Sequence, residues 1–106
     1  MPNAPTIPTA QACLDILWPF FEKYPNDALR NETCWYLVRL LAMDLALHGE
    51  LKGWMAGLIY AVDNDARVPS GVRGVPNREF EAAFGVPMRT VRDRAAQLRR
   101  HTSFWK

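Results

Sequence analysis

Apolar residues recur at Cys13, Leu14, Leu17, Phe20, Phe21 and Tyr24, the three-and-four spacing that turns one face of an α-helix toward a core. Thr9, an N-cap type of residue after Pro8, starts this helix, and Pro25 ends it. Pro19 falls inside the pattern and predicts a kink, or a split with Pro19 opening the second piece. A second helix opens around Asn26–Asp27 or Asn31 and runs to His48, with Gly49 as its stop. Its inner stripe reads Cys34, Leu37, Val38, Leu41, Ala42 and Leu45. The third helix, about residues 50–63, contains GWMAGLIYAV and is apolar on every side, so it should be wrapped by the others. Within it Gly53 and Gly57 would let neighbouring backbones approach closely. Residues 64–77, NDARVPSGVRGVPN, carry the strongest loop signal. A fourth helix covers about residues 78–84, with Asn77 as N-cap and Phe80, Ala83 and Phe84 facing inward. Gly85 breaks it, and a fifth helix runs from near Pro87 to about His101. No strand-like alternation exceeds a few residues, so the expected fold is all-α: five helices around a buried third one.

At 106 residues the chain is long enough for one domain with one modest core. Three prolines near the start mark residues 1–8 as a flexible tail, leaving 9–106 as a single helical domain. No run of about 18 apolar residues exists to span a membrane. The start lacks the features of a signal peptide, and two cysteines make no disulfide framework. A cytoplasmic protein is the expectation. Charge is segregated along the chain. Residues 1–66 carry 4 basic against 8 acidic side chains, and residues 67–106 carry 9 basic against 3 acidic. Such asymmetry points to a polyanion partner.

Other chemistry finds little support. Cys13, Cys34, His48 and His101 lack the paired short spacing of a zinc site, and both cysteines fall on apolar faces. His48 is placed in the last turn of a helix. Asp63, Asn64 and Asp65 are only a fragment of a calcium loop, and SGVRGV lacks the ending of a phosphate loop. No metal or cofactor is implied, and no nucleophile has an evident base, so an enzyme is not expected. Trp18, Trp35, Trp54, Phe20, Phe21 and Phe84 are read as mostly core. Phe104 and Trp105 either fold back on the core or anchor a partner.

The stretch FGVPMRTVRDRAAQLRR, residues 84–100, completes a helix–glycine–helix unit over about residues 77–101, the outline of a helix-turn-helix. Val86 plugs the space between the two helices, and Val91, Ala95 and Leu98 form the inner stripe of the second. Arg89, Thr90, Arg92 and Gln97 are then placed toward a DNA groove, where arginine's planar fork suits guanine edges and phosphates. Arg73, Arg78, Arg99 and Arg100 are placed over the phosphate backbone.

GVPMRTVRDRAAQL also resembles the last helix pair in the cyclin-like repeat of transcription factor IIB, and of related small bacterial helix-turn-helix domains. Gly85, Val86, Thr90, Val91, Arg92, Arg94 and Leu98 sit in register with that family's pattern, and WMAGLIYAV resembles its central helix. The likeness covers about residues 50–100 and implies a cyclin-like bundle, a fold that binds proteins as readily as DNA. Two positions depart from it: Glu81 stands where a small buried residue is usual, and Pro87 replaces a serine cap. The expected function is a small DNA-binding regulator of transcriptional, plasmid or phage type. One short module makes few contacts, so double-stranded DNA would be read with a homodimer or a partner protein. The rival is a protein–protein interaction module, an inhibitor or adaptor, that keeps the helix-turn-helix as scaffold.

Overall fold

The first helix of the computed structural model, α1 (Ala10–Lys23), is capped by Thr9, whose hydroxyl accepts from the Ala12 N–H at 3.1 Å. Structure is described for residues 8–44, 47–64 and 71–100. The expectations for the tail, Leu45, Asp65, His101, Phe104 and Trp105 lie outside the described residues. α1 is one helix, not two: Pro19 leaves the Asp15 carbonyl without its helical donor, but both residues are exposed and water can satisfy it. Asn26 caps α2 (Asp27–Ala42) by accepting from the Leu29 N–H. α3 (Leu51–Asn64), α4 (Asn77–Phe84) and α5 (Met88–Arg99) follow. Among the described residues there is no strand, so the all-α expectation holds.

α3 is the axis of the fold. Its residues 53–61 are all buried, and it packs against each of the other four helices, most extensively α5. The α3–α5 seam is set by glycine. A Cβ at Gly57 would stand 2.7 Å from Arg94 Cβ and 3.0 Å from the Ala95 nitrogen. Farther along, Arg94 Nε lies 3.8 Å from the Cβ position of Gly53, and Nη2 lies 2.9 Å from that of Gly49. The Arg94 side chain therefore runs down a track of three glycines. Its guanidinium ends 4.7 Å from the centre of the Trp54 ring, and Trp54 Nε1–H donates to the His48 carbonyl at 2.7 Å.

At the other end, α4 is bound to α1 by aromatic rings. Phe20 meets Phe80 edge-on at 5.5 Å and Phe84 at 5.2 Å, and all three are buried. Each fully buried phenylalanine contributes roughly 1.5–3 kcal/mol by area. The Tyr24 hydroxyl donates to Glu79 at 2.7 Å, which ties the end of α1 to the start of α4 and raises the phenol pKa.

Several expectations needed correction. α2 ends at Ala42 rather than His48, and Asp44 takes a left-handed φ of 52° just beyond. His48 is therefore in the approach to α3, where its carbonyl serves Trp54, and Gly49 is not the stop of α2. The inner face of α2 is Leu29, Thr33, Leu37 and Leu40, a rotation of the expected stripe; Val38 is 66% exposed and Ala42 is exposed. Trp18 and Trp35, read as core, are 42% and 51% exposed. Asn77 is the first residue of α4 and Pro76 occupies the cap position, while Ala83 faces out.

Candidate nucleic-acid interface

The turn between α4 and α5 is built on Gly85, which adopts φ 70° and ψ 26°, the left-handed conformation that costs a side-chain-bearing residue free energy. Its N–H closes α4 on the Glu81 carbonyl at 2.7 Å. Val86 is half-buried against the core near Gly53. Pro87 occupies the cap position of α5 and offers no side-chain acceptor. Glu81 supplies one instead: its carboxylate accepts from the Met88 N–H at 2.6 Å, reaching across the turn. An anion there is also favoured by the positive end of the α5 dipole. The two departures from the helix-turn-helix pattern, Glu81 and Pro87, thus compensate one another.

α5 buries Met88, Val91, Ala95 and Leu98, which includes the whole predicted inner stripe. Opposite that stripe, Arg89, Arg92, Asp93 and Arg100 are exposed, and Arg78 is exposed on α4. None of these four arginines forms an ion pair among the described residues. Gln97 is half-buried and donates through Nε2 to Asp93 Oδ2 at 2.8 Å. Thr90 is half-buried, with its methyl 3.6 Å from the Cβ position of Gly53, so that carbon is turned toward α3. Arg99 is half-buried beside the inner stripe.

Arg73 lies on the segment after the central loop. Its backbone N–H and its Nε donate to Asp63 at 3.0 and 3.4 Å, and the Asp63 side chain is 5% exposed. This bond fastens residues 71–76 to the end of α3 while leaving most of the Arg73 side chain in solvent. A cavity of about 330 Å³ lies beside it, lined in part by Lys23, Tyr24, Val72 and Arg73.

Of the eight residues placed at the interface from sequence, Arg78, Arg89, Arg92 and Arg100 share the exposed surface of the α4–α5 unit. Thr90, Gln97 and Arg99 belong partly to packing, and Arg73 is anchored to α3. Sequence reasoning missed the cap made by Glu81 and the partial burial of Arg94. The first left a trace, an acid preceding a proline-capped helix. The second left one too, in three glycines spaced four apart.

Nucleophilic chemistry finds no support in the thiols. Burial pushes the Cys13 pKa up to about 11, and burial also raises Cys34, opposed by the nearby Arg30 charge. Among the described residues no cluster of ligating side chains could hold a metal ion. No described helix is long and apolar enough to cross a membrane. No protein-family model, characterised protein or solved structure matches the chain.

Proposed function

We propose that α4 and α5 form a helix-turn-helix that binds double-stranded DNA, with α5 in the major groove, in a small regulator built like a cyclin-like repeat. The observation that carries this reading is the exposed set Arg78, Arg89, Arg92 and Arg100. These four cations lie on one two-helix unit and spend no charge on carboxylates of the described residues. Arg89 and Arg92 sit near the start of α5, where side chains of a recognition helix reach base edges or phosphates.

The test is fluorescence anisotropy with a random-sequence duplex over a range of salt concentrations, for wild type and an Arg89→Ala, Arg92→Ala variant. If four arginines each neutralise one phosphate, log K falls with log salt at a slope of about −3.6, and the double variant loses about 2 from that slope. Absence of binding by wild type at low salt would remove the reading. A protein-interaction role would then take its place, supported by Trp35, whose ring is half exposed and lies 4.9 Å beneath the Arg39 guanidinium on the outer side of α2.

A further inference from the structure

We infer that Asp93 is a specificity-determining residue of the α5 surface, one that selects a cytosine and discourages binding to unrelated sequence. The inference rests on the DNA-binding reading above. Asp93 is the one acidic side chain on α5, and it stands in the middle of the outward face, one turn after Arg89 and two turns before Arg100. An unneeded carboxylate at that place would weaken any purely electrostatic grip on phosphates.

The side chain is also held in place. Gln97 Nε2 donates to Oδ2 at 2.8 Å, and Arg94 Nη1 lies 3.5 Å from the same oxygen. Arg94 is itself fixed in the α3–α5 seam, over the Trp54 ring. Both contacts fall on Oδ2, so Oδ1 makes none with a described residue and the carboxylate keeps a full acceptor for an incoming donor. In the major groove guanine and thymine present acceptors that repel a carboxylate, adenine sets its N7 acceptor beside its N6 amino group, and cytosine alone offers an amino donor, N4, with no acceptor beside it. Arg89, about 6 Å away along the helix axis, is suited to guanine O6 and N7. At about 3.4 Å per base pair the two side chains would read positions roughly two pairs apart. The predicted recognition element is therefore a guanine and a cytosine at that separation, with Asp93 acting by attraction to the cytosine amino group and repulsion from the acceptors of guanine and thymine.

The experiment is selection of bound duplexes from a randomised library by wild type, Asp93→Asn and Asp93→Ala, followed by anisotropy on selected and random duplexes. Asp93 is exposed, so both variants should melt with wild type, and circular dichroism checks this. The inference expects wild type to enrich cytosine at one position by about tenfold or more. Asp93→Asn should switch that position to adenine, the base that asparagine reads through two bonds. Asp93→Ala should lose the preference there and bind random duplex more tightly, by about threefold or more in moderate salt. Equal preferences and equal random-duplex affinity in all three proteins would overturn the inference while leaving DNA binding intact. If wild type binds no duplex at all, the reading beneath it fails and the inference falls with it.

Discussion

Replacing Gly57 by alanine sets two opposing effects against each other at one atom. Alanine is the better helix former by about 1 kcal/mol, and in an open helix the change would stabilise. At Gly57 the new carbon would stand 2.7 Å from Arg94 Cβ, 3.0 Å from the Ala95 nitrogen and 3.2 Å from the Arg94 carbonyl carbon. Those are backbone atoms and the first side-chain atom, and none of them can swing aside by a rotamer change. α3 and α5 would have to separate along the largest helix–helix contact of the fold. Overpacking of this kind costs about 1–3 kcal/mol, and the upper part of that range applies where the obstacle is backbone. The expected net effect is destabilisation by about 1–2 kcal/mol. For a domain of this size that lowers Tm by roughly 5–15 °C. Gly53 is the matched control. A Cβ there would stand 3.6 Å from Thr90 Cγ2 and 3.8 Å from Arg94 Nε, ordinary contact distances. Gly53→Ala should therefore be neutral or stabilise by about 0.5 kcal/mol through helix propensity. Thermal and urea unfolding followed by circular dichroism at 222 nm reads both. A Gly57→Ala protein that melts at or above wild type would refute the close-seam argument, as would a Gly53→Ala protein that is the less stable of the two.

Two further outcomes follow from local chemistry. Glu81→Ala removes the acceptor for the Met88 N–H and leaves α5 with Pro87 alone at its cap; urea unfolding should show a loss of about 1 kcal/mol, and an unchanged midpoint would mean that the cap contributes nothing. Cys13, fully buried with a pKa near 11 against an ordinary 9.0, should react with iodoacetamide at pH 8 far more slowly than the part-exposed Cys34, a difference that mass spectrometry of the two peptides would detect. The sign for stability follows. Because folding raises this pKa, the folded state favours the neutral thiol; the contribution is complete below pH 9 and is lost as pH rises toward 11. A Cys13→Ala protein whose stability falls as steeply as wild type across that window would assign the alkaline loss to other groups.

The helices themselves could be read from the chain because their determinants are local. Thr9 and Asn26 cap through their own side chains, Gly85 supplies a left-handed turn without steric cost, and nine consecutive buried residues in α3 correspond to an apolar run with no polar face. The inner stripe of α5 was equally legible, since Val91, Ala95 and Leu98 stand against arginines on the other side. α2 was not. Its apolar residues are scattered around the helix, so spacing alone could not phase it, and packing chose Thr33 over Val38 for the interior. Its end at Ala42 was also beyond local reading, because the left-handed residue just past it is Asp44, with no glycine to announce the stop. The same distinction runs through the candidate interface. Sequence determined that five arginines crowd into residues 89–100, on α5 and its C-cap. Tertiary structure decided which of them face solvent, by laying Arg94 along a glycine track that exists only when α3 and α5 come together.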